Sequence, residues 1–165
     1  MASGNTLVVF PASAGIPPSS SFAPLIRRNN HLLAAYDAAA DENLDFEGVL
    51  PRHYAGGGLT ITLVWMAATA TSGNVIWNAQ IERHSDDDID LDSDSFSAAN
   101  ASSAVAAPSV SGEVSYDTIT FTDGADMDSL VAGESFRLRI TRDADNASDT
   151  MAGDAQLMRV EIRET

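Results

Sequence analysis

Between Glu134 and Thr165 the side chains change character at every second residue. Phe136, Leu138 and Ile140 alternate with Arg137, Arg139 and Thr141, and Met158, Val160 and Ile162 alternate with Arg159, Glu161 and Arg163. Successive side chains on a strand face opposite sides, so a period of two predicts strands that bury one row and leave the other in water. Antiparallel sheets are built this way, because one of their faces can stay solvated. The two runs are separated by a small polar loop and read as a closing hairpin.

The same rule finds strands upstream. Leu59, Ile61, Leu63 and Trp65 alternate with Thr60, Thr62, Val64 and Met66, and Val75, Trp77, Ala79 and Ile81 with Asn78, Gln80 and Glu82. With Ser72 and Gly73 between them, these read as a hairpin carrying one tryptophan on each strand, both turned inward. Further strands are expected over residues 31–37 and 43–50, with a stronger one over 113–122. A weak one over 104–110, interrupted by Pro108, reads as an edge. About eight strands at regular spacing, with no stretch that demands a helix, predict an all-β fold: a two-sheet antiparallel sandwich, with a jelly roll the first choice.

Composition narrows what such a sandwich can do. A chain of 165 residues fits one domain and can bury roughly 70% of its unfolded surface. There is no cysteine, which excludes disulfides, thiolate metal sites and cysteine nucleophiles. Nine arginines and no lysine stand against 24 acids, for a formal charge of −15. Nucleic acid, which calls for a concentrated basic surface, is therefore not an expected partner. No apolar run reaches the ~18 residues of a membrane span. No charged leader precedes the short Leu7–Phe10 run, so synthesis in a cytoplasm is expected.

Pro11, Pro17, Pro18 and Pro24 crowd the first 24 residues. Proline lacks an amide donor, so residues 1–30 read as an extended arm ahead of a sandwich domain over 31–165. The arm is too apolar for a free linker. Val8, Val9, Phe10, Ile16, Phe22, Leu25 and Ile26, with Arg27 and Arg28, are its candidate contact residues, either to its own domain or to a neighbouring subunit.

Chemistry-bearing patterns are sparse. The run from Asp86 to Asp94 offers carboxylates of the kind calcium favours, with Asp86, Asp88 and Asp90 the candidate ligands. It fails the EF-hand pattern: Leu91 and Ser97 stand at the sixth and twelfth positions, which require Gly and Glu. Alternation reads it instead as a solvated acidic strand edge. Asp143 to Asp149 reads as an Asp/Asn-rich turn. His31, His53 and His84 are scattered, and no GxSxG occurs. No cofactor site and no catalytic residues are assigned; a non-enzyme is expected.

Three stretches carry a family resemblance: residues 36–57 with the Leu50-Pro51 step, 59–83 with the Ser72-Gly73-Asn74-Val75 turn and Trp77, and 136–163 with Arg142-Asp143 before an acidic loop. Over roughly residues 32 to 163 the chain resembles small β-sandwich proteins encoded among the structural genes of tailed bacteriophages. The resemblance implies a virion component. As a capsid decoration or cement protein it would sit on the head surface as a homotrimer, with the major capsid protein and copies of itself as partners. The alternative is a carbohydrate- or receptor-binding module of a tail fibre or spike.

Overall fold

The computed structural model describes residues 4–165. The strands are β1 (Thr6–Pro11), β2 (Leu25–Arg28), β3 (His31–Tyr36), β4 (Glu42–Val49), β5 (Leu59–Ala67), β6 (Asn74–Val75), β7 (Trp77–His84), β8 (Asn100–Ala101), β9 (Val105–Ala106), β10 (Ser115–Phe121), β11 (Ser135–Arg142) and β12 (Ala155–Glu164). The only helices among the described residues are two single 3-10 turns, at Ala12–Ala14 and Ala125–Met127. The expected all-β antiparallel sandwich is the fold.

A six-stranded sheet runs β10-β5-β12-β3-β2, with β1 also on β12. A four-stranded sheet runs β4-β11-β7-β8, and β6 and β9 form a short ribbon. From β3 onward the long strands alternate between layers: β3 in the first sheet, β4 in the second, then β5, β7, β10, β11 and β12 in turn. Most connections therefore cross the sandwich.

That crossing overturns both expected hairpins. β5 pairs with β10 and β12, whereas β7 pairs with β11 and β8. β11 lies between β4 and β7, and β12 is in the opposite sheet. Alternation predicts which face a side chain takes, but it carries no information on which strand lies alongside.

Between the layers the inward rows meet as predicted. Trp65 of one sheet packs edge-on to Trp77 of the other, with ring centroids 6.0 Å apart, and Tyr36 packs on Trp77 at 5.1 Å. Elsewhere in the core, Phe10 lies tilted on Phe46 at 5.5 Å and edge-on to Phe136 at 6.5 Å. Each such buried side chain contributes about 1.5–3 kcal/mol through removal from water.

β11 ends its inward row with an arginine. Arg142 is fully buried and makes a two-pronged pair with Asp149 (3.0 and 2.8 Å), while it also donates to the carbonyls of Gly153 and Met151. The guanidinium thus replaces backbone partners that the irregular 143–154 loop cannot give itself.

Residues 6–28, read from sequence as most of an extended arm, lie on the sandwich itself, and strands begin well before residue 31. β1 completes the six-stranded sheet against β12, the next stretch bridges to β4 at Ile16↔Asp45 and Phe22↔Asn43, and β2 returns to pair with β3. The prolines sit where this pattern tolerates them: Pro11 closes β1, while Pro17, Pro18 and Pro24 lie between strands. Residues 1–3 of the expected arm fall outside the described residues.

The expected strand over 104–110 shrinks to Val105–Ala106. Asp86 to Asp94 forms turns rather than a strand edge.

Candidate functional site

The outer face of the six-stranded sheet holds an open groove. Its floor comes from alternation: Met66 of β5 and Leu33 of β3 point away from the core. β12 then breaks its own rule. Leu157 pairs with Trp65 and Arg159 with Val64, so the register slips by one residue and Met158 is the extra one. Met158 was expected to face the core beside Val160 and Ile162; the bulge turns it outward with Arg159. A bulge re-aims side chains at the cost of one unpaired residue, and such irregularities concentrate near binding sites.

Two further segments raise the walls. Asn29 and Asn30 turn β2 into β3 with φ of 45° and 66°, the left-handed geometry that two-residue hairpins need and asparagine tolerates. On the opposite side, residues 111–114 are held by Arg28. Its guanidinium donates to the Ala67 carbonyl (3.0 Å), Gln156 Oε1 (2.9 Å) and Ser111 Oγ (3.1 Å), bracing β2 against the end of β5. Gly112 has φ of +83° and lies so close that a Cβ there would collide with that guanidinium.

The result is two adjoining depressions of about 320 Å³ and 200 Å³ that share His31 and Met158. Arg159 and Pro11 bound the smaller; Val114 bounds the larger. Two residues beyond Val114, on the outward row of β10, Tyr116 pairs with Val64 and is 68% exposed. An exposed aromatic face beside an apolar floor with Arg, His and Asn at its walls can hold a flat, hydroxyl-rich ligand by stacking and directional hydrogen bonds.

On the four-stranded sheet, the outer face is filled by its own charges. Arg137 forks onto Glu82 at 3.1 Å and Arg139 onto Asp45 at 2.7 and 2.9 Å, with both carboxylates buried. Phe96 lies over both guanidinium groups, 4.4 Å from Arg139 and 5.2 Å from Arg137. Little polar capacity is left there for a ligand.

The residues singled out from sequence fall as follows. Asp86, Asp88 and Asp90 are exposed and do not converge. Among the described residues the carboxylates that approach within 4.8 Å as a trio are Asp41, Asp143 and Asp145. Mutual repulsion with Asp41, aided by Asp143, raises the Asp145 pKa.

Phe10 is core, and Arg28 is the brace of the groove. Val9, Ile16, Phe22 and Leu25 are exposed at or near the sheet edges, Val8 and Ile26 are half-buried, and Arg27 is exposed. Trp65 and Trp77, expected inside, are inside.

Tyr116, Met66, Met158 and Arg159 were each legible only as members of a strand row. An aromatic on the polar row of β10 was the one available hint.

At the other end of the sandwich, burial pushes the Tyr54 hydroxyl up to about 12 despite the Gly58 N–H it accepts, and it donates to Asp123 at 3.0 Å. Asp117 faces inward from β10, and burial raises its carboxyl despite the Thr118 N–H.

No protein-family model matches the chain, and no curated protein does. Among solved structures it is similar to a family 35 carbohydrate-binding module from Clostridium thermocellum, with TM-score 0.55 and 8% identity over 96% of this chain and 98% of that one. It is also similar to a CBM36-1 domain of a multidomain xylanase from the hindgut metagenome of Trinervitermes trinervoides, at 0.51 and 9% over 98% of each chain. A third is the CBM22-1 xylan-binding domain of Paenibacillus barcinonensis Xyn10C, at 0.53 and 11% over 99% of this chain and 96% of that one. At these identities the likeness is one of fold, a jelly-roll sandwich.

Proposed function

We propose that this protein is a non-catalytic carbohydrate-binding module whose ligand lies along the outer face of the six-stranded sheet. The observation that carries the reading is the open groove with Tyr116 exposed on the same sheet face, two residues beyond its wall residue Val114, opposite a sheet face that its own ion pairs close. Sugar rings present apolar C–H faces that stack on aromatics and equatorial hydroxyls that need directional partners; the groove offers both. Support also comes from fold neighbours whose names describe carbohydrate and xylan binding. In the virion setting implied by the tailed-phage resemblance, such a module belongs on a tail fibre or spike and reads a host-surface glycan.

The test is calorimetric titration against a panel of neutral and acidic polysaccharides, with Tyr116→Ala alongside. Saturable binding to at least one polymer, weakened about tenfold or more by Tyr116→Ala, is the expected outcome; aromatic stacking of this kind contributes on the order of 1–3 kcal/mol. Binding of no polymer would overturn the reading.

Capsid decoration is the second reading, favoured by Val9, Ile16, Phe22 and Leu25, apolar side chains that stay exposed on the N-terminal segment. A cement protein would use them against the major capsid protein and against two further copies in a trimer on the head surface. Native mass spectrometry for a trimer, and immunolabelling of intact particles, separate head from tail.

A further inference from the structure

We infer that the groove is selective for acidic sugars, with Arg159 pairing with a ligand carboxylate such as that of a uronic acid. The inference rests on the carbohydrate-binding reading and narrows it to a ligand class. In a chain of formal charge −15, no residue lining either depression carries a carboxylate, and the charged side chains there are Arg28 and Arg159.

Neither guanidinium group is paired with an acid among the described residues. Arg28 is bound to carbonyl, amide and hydroxyl oxygens, all neutral, and Arg159 has no ion pair among the described residues. The cross-strand neighbours explain why: Arg159 lies opposite Val64 on one side and Pro11 on the other. Glu161, the next outward residue of β12, already accepts the Thr6 hydroxyl, and Glu113, beside Gly112 in the chain, is exposed.

The bulge at Met158 completes the arrangement, since the slip in register turns Met158 outward beside Arg159, where it lines both depressions. A guanidinium fork matches a carboxylate in two parallel hydrogen bonds, and this match supplies charge as well as direction. His31, shared by both depressions, stands where a second ligand oxygen would be met. The net negative charge of the protein opposes acidic polymers at long range, but at physiological salt that field is screened beyond about 8 Å, whereas a contact pair is not.

The experiment titrates the wild type and Arg159→Gln at physiological salt with polygalacturonate, alginate and glucuronoxylan, each beside its carboxyl-reduced form, and with neutral xylan and cellulose oligomers. Dextran sulfate and dextran form a further arm that separates carboxylate from sulfate recognition. The expected result is binding of at least one uronate polymer, weakened roughly tenfold or more by carboxyl reduction, with Arg159→Gln abolishing the difference between the two forms. Arg159 is exposed, so the variant folds, and its unchanged melting temperature confirms that.

Equal binding of acidic and reduced polymers, or an acid preference that survives Arg159→Gln, overturns the inference while leaving the carbohydrate reading standing. Preference for dextran sulfate over every uronate overturns the carboxylate assignment. Failure of all polymers, neutral ones included, removes the carbohydrate reading itself and the inference with it.

Discussion

Arg137 and Arg139 face outward from the four-stranded sheet and each finds a carboxylate one strand away. Arg28 and Arg159 face outward from the six-stranded sheet and, among the described residues, neither does. The difference lies in register. β11 runs between β4 and β7, which set Asp45 and Glu82 beside its arginines, whereas β12 runs between β5 and β1, which set Val64 and Pro11 beside Arg159. Cross-strand neighbours decide whether an outward charge is consumed by the fold or left for something else. One face spends its arginines on stability; the other ties Arg28 to neutral oxygens and leaves Arg159 available.

The most damaging test of the closed sheet is Arg142→Met. It leaves Asp149 buried without its cation, and loss of one partner from such a pair costs about 3–5 kcal/mol; urea unfolding should record it. Asp45→Asn comes next. Loss of the charged fork to Arg139 should destabilise by about 2 kcal/mol and leave glycan binding unchanged, because the site is on the opposite face. If Asp45→Asn instead abolished binding, the assignment of roles to the two faces would be wrong.

On the open sheet the pattern should invert. Tyr116→Ala removes a mostly exposed ring, so stability should stay within about 0.5 kcal/mol while glycan affinity falls tenfold or more. A loss of stability comparable to that of Asp45→Asn would make Tyr116 a structural residue.

The smallest effects are pH-dependent. The Arg83 fork onto Glu134, at 2.6 and 2.7 Å, holds that carboxyl below its usual range. A depressed acid contributes stability above its unfolded pKa and loses it as pH falls through the folded value. Glu134→Gln should therefore lower the melting temperature near neutrality and flatten its decline under acid.

Asp117 has the opposite sign. Burial raises its carboxyl, so its contribution is most favourable when protonated and is lost as pH rises from the ordinary carboxylate value through the raised one. Asp117→Asn should give a slight gain in melting temperature at neutral pH and none in acid.

The sequence by itself determined the local grammar. Period-two rows over residues 59–67, 115–121 and 135–142 named strands and sorted most of their side chains into core and surface, because alternation is a property of an extended backbone and needs no partner. It placed Trp65, Trp77 and Phe136 inside, and the absence of cysteine and the acidic balance removed whole classes of chemistry.

Only the tertiary structure decided adjacency. It separated β5 from β7 and β11 from β12, drew residues 6–28 into the sheets, and slipped β12 by one residue so that Met158 and Arg159 share a groove with Met66. Pairing order, bulges and the company each outward charge keeps arise from contacts between segments far apart in the chain, and a pattern read along one strand holds no record of them.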